Sequence, residues 1–338
     1  MREMVEVMAG IRAGAARGES LSLATVVAVE GSAYRHPGAR LLLGPEGPRC
    51  GSVSGGCLEA ELQARAAELS PGGRILLRFD LRGDLDLIWG SGSGCEGVAE
   101  ILLERLPEGQ TPDWVHEMER ARKERRTLRM ATALEASGEK GIHLGDRWYL
   151  AGKDRPPEGI RVLVEEIHPP IALWCLGLGE DARPLAEGAV AQGWTLGMAD
   201  HRPGFARPER FPQAQAVLCG RPEETIPRMG LDSRSACVLL SHHWDRDREA
   251  LRMLLPSPVA YVGLLGHRRR SQRLLATLTE EGFCPTGAQL AKLHAPVGLD
   301  LGGDGASGLA LAVLAEVQAV MAGRHGGHLR DRQGPIHG

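Results

Sequence analysis

Two cysteines in glycine-rich segments are the residues of this chain whose setting most strongly indicates chemistry. Cys57 ends the run GSVSGGC at 51–57, and Cys95 lies within WGSGSGCEG at 89–97. Glycine carries no side chain that would block a neighbouring thiol, so a bulky ligand can approach either sulfur. The pattern indicates sulfur chemistry or the holding of a cofactor, with a buried cysteine at a tight turn as the alternative.

Cys57 lies where a predicted strand ends and a predicted helix begins. The residues that follow it at helical spacing are Leu58, Leu62, Ala66 and Leu69. Unpaired N–H groups and the positive end of the helix dipole should favour a thiolate at this point. Gly55 and Gly56 leave the approach to the sulfur open.

The glycines around Cys95 predict a backbone cradle for an anion or a flat ring. Cys57 and Cys95 lack the CxxC spacing of a thioredoxin-like pair, so a redox role requires that they meet in the fold. No histidine or cysteine stands at zinc-ligand spacing beside either one, so the sequence gives little support for a zinc site. Arg35 and Arg40, in GSAYRHPGAR, add donors for a phosphate or a polar ring, or belong to a plain solvated loop.

A second candidate site is the segment GLGEDA at 177–182, which follows an apolar run. Gly177 permits a tight turn and Gly179 lets the backbone approach a pyrophosphate at a helix N-terminus. Asp200 ends the next strand, where a ribose-binding acid belongs. Two acids in the turn itself, Glu180 and Asp181, oppose a phosphate, so a Rossmann fold without a dinucleotide stays open.

Two further groups follow later strands. Arg268 and Arg269, in GLLGHRRR at 263–270, open a predicted helix, where side chains and helix N-terminus together collect anions. A solvated basic face is the alternative. His242, in SHHWD, follows the preceding strand at the end where open α/β sheets bind ligands, unless it only caps the next helix.

Two different architectures are predicted to position these residues in a chain that is α/β as a whole. Residues 1–168 mix helices and short strands and form a mixed α+β N-terminal domain that carries the glycine and cysteine loops. The pair Pro169-Pro170 then marks a boundary. From 169 to 322, apolar runs alternate with helical segments, which indicates a C-terminal Rossmann-like domain with a parallel sheet. The tail at 323–338 is expected to be disordered.

Apolar periodicity and Pro or Gly stops set the expected elements. In the first half the sequence predicts helices at 2–17, 57–70 and 107–127, and strands at 21–30, within 40–54, and at 74–82, 98–106, 127–136, 142–151 and 161–167. In the second half it predicts strands at 171–177, 195–200, 214–220, 236–242 and 259–265. A last helix carries its apolar residues on one stripe, which packs on a core or on a partner.

Composition excludes several classes of protein. The net charge is −3 over 338 residues, with acids and bases interspersed, so no field for nucleic acid is expected. No run of about 18 apolar residues occurs and no signal-peptide core is seen, so we expect a cytoplasmic chain without a membrane partner. Seven cysteines without a disulfide-like framework fit a reducing compartment.

Several long segments, in order, resemble the XdhC/CoxI family, the accessory factors for xanthine dehydrogenase and related molybdenum hydroxylases. The resemblance runs from about residue 2 to residue 322. In the first domain the similar segments are EGSAYRHPGARLLL, GSVSGGCLE and WGSGSGCEG. In the second they are DHRPGFARPERFPQA, VLLSHHWDRDREAL, AYVGLLGHRRR and PVGLDLGG.

This resemblance implies a protein that binds molybdenum cofactor (molybdopterin) and holds it while a cysteine desulfurase installs its terminal sulfido ligand. The protein would then hand the cofactor to the apo-enzyme of a molybdenum hydroxylase, as a chaperone without turnover of its own. On this reading Cys57 and Cys95 are molybdenum ligands or sulfur relays, and Arg35, Arg40 and the glycine loops help to hold the cofactor. The resemblance and the last helix together favour a homodimer.

The chain departs from the family pattern at three places. Glu96 stands where the family has glycine, so a carboxylate beside Cys95 opposes an anionic cofactor. The family's LTHD reads SHHW here, which removes the acid after His242, and the first turn lacks the usual GAGHVA. A rival from another class is an NAD(P)-dependent oxidoreductase on the Rossmann half, which the sequence disfavours because no Tyr-Lys pair or hydride-site histidine stands out.

Overall fold

The structure is a computed structural model that describes residues 2–31, 35–80 and 97–333. The chain divides into two compact units, Met1–Pro169 and Pro170–Gly338. The predicted domain limits and the predicted disordered tail stay predictions. Among the described residues, no helix combines the length and the apolar character needed to cross a membrane.

The first unit, over its described residues, has three α-helices and eight strands. The helices are α1 (Arg2–Ala16), α2 (Glu59–Glu68) and α3 (Asp113–Lys123). The strands are β1 (Ser22–Gly31), β2 (Arg40–Gly44), β3 (Gly47–Gly51), β4 (Arg74–Asp80), β5 (Gly97–Arg105), β6 (Leu128–Ala133), β7 (Arg147–Leu150) and β8 (Val162–Ile167). They form two antiparallel sheets, with strand orders β3-β2-β1-β5-β4 and β7-β6-β8.

The larger sheet is covered on both faces, which explains why β2 is buried throughout. Successive side chains of a strand point to opposite faces. Leu42 packs with residues of α1 and α3, whereas Leu41 and Leu43 pack with residues of α2. The sheet therefore fixes α2, and with it the loop that leads into α2 from β3.

The second unit has six strands and six α-helices in the part that the structure describes. The strands are β9 (Ala172–Leu176), β10 (Thr195–Asp200), β11 (Ala216–Cys219), β12 (Ser235–Leu239), β13 (Tyr261–Leu264) and β14 (Leu293–His294). The helices are α4 (Ala182–Ala191), α5 (Pro222–Thr225), α6 (Trp244–Leu254), α7 (Arg268–Glu280), α8 (Gly287–Leu290) and α9 (Gly305–Met321).

All six strands of the second unit pair in parallel, in the order β11-β10-β9-β12-β13-β14. This is the order of a doubly wound sheet, which confirms the predicted Rossmann-like domain. Helices cover both faces. Leu173 and Cys175 of β9 lie in the core with residues of α4 and α9, and Trp174 and Leu176 lie in the core with residues of α6 and α7.

The elements depart from expectation at two places. The helix predicted at 107–127 begins only at Asp113, because Pro112 precedes it in an extended conformation and the residues before it form a loop. The sixth parallel strand, β14, was not predicted, since its two residues are too few to show a period.

Candidate functional site

The loop that carries Cys57 joins β3 to α2 and is held by hydrogen bonds from buried polar groups. Ser54 is buried, and its Oγ accepts the N–H groups of Gly56 at 3.1 Å and Leu58 at 3.2 Å. The same hydroxyl donates to the carboxylate of Glu59. The amides that flank Cys57 on either side are thus bound to one side chain.

A second set of contacts ties the start of this loop to α1. Glu3 accepts the N–H of Ser52 on Oε1 at 3.1 Å and the Arg35 guanidinium on Oε2 at 3.1 Å. Arg35 therefore lies at the edge of the cysteine loop, linked to it through one carboxylate.

Cys57 itself is half-buried, and the glycines before it are exposed. Gly56 has a φ of +112°, a conformation that side chains rarely adopt, and a Cβ placed on it would meet no atom within 4 Å. The turn requires glycine here, and the space beside it is open. The Cys57 side chain itself packs in part against the core on the α2 side of the sheet, so the approach of a ligand to this thiol stays a prediction.

The helix end after Cys57 differs from the sequence expectation in one respect. α2 begins at Glu59, and the N–H of Leu58 is bonded to Ser54 and, at 3.1 Å, to the Glu59 carboxylate. This N–H is not one of the free donors that we expected to favour a thiolate. Two acids in the first turn, Glu59 and Glu61, complement the helix dipole instead.

Cys95 and Glu96 lie outside the described residues. Whether Cys57 and Cys95 share one pocket, and whether both contact molybdenum, therefore stay predictions.

Arg40 holds a different position from the one a ligand-binding arginine would need. Its side chain is 3% exposed and makes two hydrogen bonds to Glu165 of β8, at 2.9 and 2.7 Å, with a third to the carbonyl of Gly38 at 2.8 Å. It joins the two sheets of the first unit. Its predicted contact with a cofactor gains no support from this geometry and stays a prediction.

The other described thiols differ in how deeply they are buried. Cys175 and Cys237 lie in the core of the second unit, where burial raises the pKa of both, that of Cys175 to about 12. Cys50 is half-buried, and burial followed by the charge of Glu6 raises its pKa. Across the described residues, no cluster of three or more His, Cys, Asp or Glu side chains is arranged to hold a metal ion.

The first turn of the second unit is a closely packed piece of backbone. Gly177 has a φ of +100°, and a Cβ on it would lie 2.5 Å from the N of Ser241. Gly179 has open space around it. The N–H of Leu178 donates to Asp200 Oδ2 at 2.7 Å, and the carbonyl of Leu178 accepts Arg210 Nη1 at 3.0 Å.

Asp200 ends β10 with its side chain 1% exposed. Oδ1 accepts the N–H and the Nε of Arg202, at 2.8 and 2.9 Å, and Oδ2 accepts the Nη2 of Arg202 at 2.8 Å. Burial acts to raise the pKa of Asp200, but the bonds from Arg202 and Leu178 outweigh it and hold this pKa below its usual range. Burial, together with positive neighbours such as Arg246, lowers the pKa of His201, against the attraction of Asp200.

His242 lies just beyond β12 with a φ of +54° and a side chain that is 64% exposed. Its Nε2 is 3.8 Å from a carboxylate oxygen of Asp181, at the start of α4. The N-cap residue of α6 is His243, so His242 does not cap this helix.

Arg268 and Arg269 are the first two residues of α7 and are both exposed. The next arginine, Arg270, turns inward, and its Nη2 donates to the buried carboxylate of Asp247 of α6 at 2.6 Å. The triple arginine therefore divides into two surface cations and one internal link.

The structure brings together only part of the predicted set. Gly177 and Asp200 line one cavity of about 30 Å³ at the carboxyl ends of the strands, with His201 and Arg246. Arg268, Arg269 and His242 are not among its lining residues, and Cys57 belongs to the other unit. A larger cavity of about 380 Å³ in the first unit does not include Cys57; the residues that line it include Arg74, Arg105, Trp114 and Tyr149.

The residues that organise the cysteine loop were missed from the sequence. Ser54 and Glu59 stand in the quoted segment GSVSGGCLE, so their polar character beside the thiol was a usable signal. Glu3 acts through a contact that only the fold creates, because its partner Ser52 is 49 positions away.

Comparison with known proteins finds family models that match segments of both units. The model of the XdhC and CoxI family matches residues 15–80, and that of the XdhC Rossmann domain matches residues 173–317, together more than half of the chain. A crystal structure of a protein from Bacillus halodurans, described as a xanthine dehydrogenase, superposes with a TM-score of 0.76 over 95% of this chain and 97% of its own. At 24% identity, this likeness shows the fold alone.

Two curated relatives align over most of the chain. A Bacillus subtilis protein, named as a probable xanthine dehydrogenase subunit, is 29% identical over 320 residues, 88% of this chain and 92% of its own length. The "molybdenum cofactor insertion chaperone PaoD" of Escherichia coli is 26% identical over 314 residues, 90% of this chain and 84% of its own length. With both family models matched in their order along the chain, this protein belongs to the XdhC and CoxI family.

Proposed function

We propose that this chain binds molybdenum cofactor as cargo, supports its sulfuration and inserts it into a molybdenum hydroxylase of the xanthine dehydrogenase type. In this role it is a chaperone without turnover of its own. The observation that carries the proposal is the half-buried Cys57 thiol on an open glycine loop, inside the segment that matches the XdhC and CoxI family.

The names of the two long relatives support the same role. One is called an insertion chaperone for molybdenum cofactor, and the other is named as part of a probable xanthine dehydrogenase. Each aligns with at least 88% of this chain. A shared role is therefore proposed for the whole chain and not for one unit.

The loop that carries Cys57 fits such a cargo in three respects. A thiolate is a soft ligand suited to a transition metal, and Cys57 is within reach of solvent. Gly55 and Gly56 leave room for a flat, bulky ring system. Arg35 supplies a charged donor beside the loop, which suits the phosphate of the cofactor. Cys95 is proposed as a second sulfur contact.

Sulfuration and delivery need protein partners. The proposed sulfur source is a cysteine desulfurase, and the proposed recipient is the apo-hydroxylase. We place both encounters in the cytoplasm, where thiols stay reduced, and propose that the chain acts there as a homodimer. Contacts of Gly177, Gly179, Asp200, His242, Arg268 and Arg269 with the cofactor stay predictions.

A delivery assay tests the proposal. The purified protein is loaded with molybdenum cofactor and mixed with a cofactor-free hydroxylase, and recovered enzyme activity and transferred molybdenum are both measured. We expect the loaded protein to restore activity, the Cys57→Ala variant to fail, and the Cys284→Ser variant, changed at an exposed thiol of the other unit, to behave as wild type. A wild-type protein that retains no cofactor yet binds NADPH one to one would instead favour the oxidoreductase alternative.

A further inference from the structure

We infer that the second unit does not bind a dinucleotide at the edge where its fold class binds one, because the residues that would hold the ribose and the pyrophosphate are bonded to each other. In sheets of this strand order, ligands bind beyond the carboxyl ends of the strands, between the first and fourth strands of the domain. These are β9 and β12 here. The residues at that edge belong to the second unit and Cys57 to the first, so the inference is independent of the proposed cofactor delivery.

Asp200 stands where the ribose-binding acid belongs, but it has no acceptor capacity left. An ionised carboxylate offers about four lone-pair positions. Its oxygens accept four bonds, three from Arg202 and one from the N–H of Leu178, all at 2.7–2.9 Å. With 1% of the side chain exposed, a ribose hydroxyl could bond to this carboxylate only by displacing one of these donors.

Arg202 is in turn engaged by Asp200, at a place where an arginine can bind the extra phosphate of NADPH. The Nε–Nη2 edge of its guanidinium bonds the Asp200 carboxylate, and the guanidinium carbon lies 3.7 Å from the centroid of the Phe205 ring. The Arg202 side chain is 42% exposed, so these contacts, and not burial, hold it on the end of β10.

In the phosphate-binding turn, the polar groups of Leu178 are already bonded within the protein. Its N–H donates to Asp200, its carbonyl accepts Arg210, and its side chain is fully buried. Gly179 is the open position of the turn, so the Leu178 peptide, and not a lack of space, removes a donor for a phosphate here.

Negative charge at the start of α4 also disfavours the binding of a pyrophosphate. Glu180 is 90% exposed and Asp181 is the N-cap residue, so two carboxylates stand where helix N–H groups would meet a pyrophosphate. Each carboxylate has one long contact, with Arg210 Nη2 at 3.9 Å from Glu180 and His242 Nε2 at 3.8 Å from Asp181. These two carboxylates oppose an incoming phosphate.

The volume of the cavity at this edge also argues against a bound dinucleotide. The cavity at this edge is about 30 Å³. That is room on the order of one or two water molecules, whereas sites for drug-sized ligands and cofactors measure roughly 300–1,000 Å³. The bonds between Asp200, Arg202 and Leu178 thus stabilise this edge without a nucleotide.

Titration of the full-length protein with NADH and with NADPH, followed by nicotinamide fluorescence and by calorimetry, tests this inference. We expect no saturable binding up to millimolar nucleotide, in a sample that contains no molybdenum cofactor. Saturable binding that Asp200→Asn abolishes and Asp304→Asn, an exposed acid of the same unit, retains would overturn it. Saturable binding that survives Asp200→Asn would place the nucleotide elsewhere and leave the closed edge as inferred.

Discussion

At the residue scale, the position of Cys57 depends on hydrogen bonds made by two neighbouring side chains, Ser54 and Glu59. Ser54 binds the amides on both sides of Cys57, and Glu59 closes the arrangement from the first turn of α2. These contacts explain how a glycine-rich loop, with its large conformational freedom, presents one thiol in one place.

The Ser54→Ala variant tests this arrangement. Removing the hydroxyl takes one acceptor from the N–H groups of Gly56 and Leu58. Because Gly56 is exposed and Leu58 keeps its bond to Glu59, we expect a loss of about 0.5–1.5 kcal/mol in the free energy of unfolding. We also expect weaker retention of cofactor. Urea denaturation measures the first effect. Equal stability of Ser54→Ala and wild type would show that the loop is held by other contacts.

Asp200 predicts a specific dependence of stability on pH. Its pKa is held below the usual value, so its bonds stabilise the fold above the ordinary Asp pKa of about 3.9, and this contribution is lost as the pH falls through the lowered value. The stability difference between wild type and Asp200→Asn should shrink below about pH 4, whereas at higher pH the attraction between Asp200 and a protonated His201 can only add to it. Denaturation series at several pH values measure it, and a difference that persists undiminished to about pH 2 would contradict the assignment.

The limits of sequence reasoning at this scale are clear from Arg40. The tight turn before Cys57 could be predicted because it depends on adjacent glycines. The burial of Arg40 could not, since its partner Glu165 is 125 positions away and nothing local marks the pair. From the sequence alone, a charged residue in a glycine-rich segment is easily taken for a ligand donor, because its distant ion-pair partner is not apparent.

At the scale of elements, two buried ion pairs join the sheets of the first unit. Arg40 of β2 bonds Glu165 of β8, and Arg147 of β7 bonds Glu104 of β5. Both guanidinium groups lie near the ring of Trp114, with 5.7 and 5.5 Å to its centroid. The charges are paired and stacked on an aromatic ring, which is how buried arginines are tolerated.

Breaking one of these pairs should cost far more than removing a surface charge. For Arg40→Ala we expect a loss of about 3–5 kcal/mol, because Glu165 would remain as an uncompensated buried charge. Arg155→Ala, at an exposed position of the same unit, should change stability by less than about 0.5 kcal/mol. Thermal and urea denaturation compare the two, and similar small effects would argue against a structural role for Arg40.

A second link fixes α9 to the sheet edge. The carboxylate of Glu316 accepts the hydroxyl of buried Tyr261 at 2.5 Å and the N–H of Gly298 at 2.9 Å, and it lies 3.1 Å from His294 Nδ1. Burial raises the pKa of Glu316, but these donors outweigh it and lower the pKa. The strand β14 and the segment after it are thereby held against the last helix.

Loss of this carboxylate should loosen α9. Glu316→Ala leaves the Tyr261 hydroxyl buried without an acceptor, so we expect a loss of about 1–3 kcal/mol. Gln318→Ala, on the exposed face of the same helix, is the matched control and should be nearly neutral. Hydrogen exchange of α9 would show the difference directly. If Gln318→Ala destabilises as much as Glu316→Ala, the link does not have the proposed importance.

Elements with a long apolar period were predictable, and short ones were not. The five longer strands of the parallel sheet each carry an apolar run, which is largely buried in all but β11. The strand β14 has two residues and takes its place through pairing with β13. The start of α3 was placed six residues too early because the segment before Pro112 is polar and compatible with a helix, yet forms a loop.

At the scale of the whole molecule, the alternation of strands and helices was enough to predict the second unit, because parallel strands require crossover helices. This alternation could not show whether a ligand binds at the carboxyl ends of the strands. The GLGEDA turn and Asp200 have the spacing of a nucleotide site, and their mutual hydrogen bonds become visible only when the fold brings them together.

We propose that the first unit binds the cargo. Cys57 lies there on its glycine loop, in the segment that the XdhC and CoxI family model matches, whereas in the second unit Cys175 and Cys237 are buried and Cys219 and Cys284 are exposed. The second unit then contributes the surface cations of α7, and cofactor retention should not depend on its nucleotide-type edge.

The molybdenum content of purified thiol variants tests the central claim most directly. Wild type, Cys57→Ala and Cys50→Ala are incubated with molybdenum cofactor, freed of excess ligand and assayed for metal and pterin per chain. Cys50 is a matched control because it is a half-buried thiol of the same unit. We predict that Cys50→Ala retains cofactor as wild type does and that Cys57→Ala loses most of it while remaining folded. Full retention by a folded Cys57→Ala variant would contradict the claim.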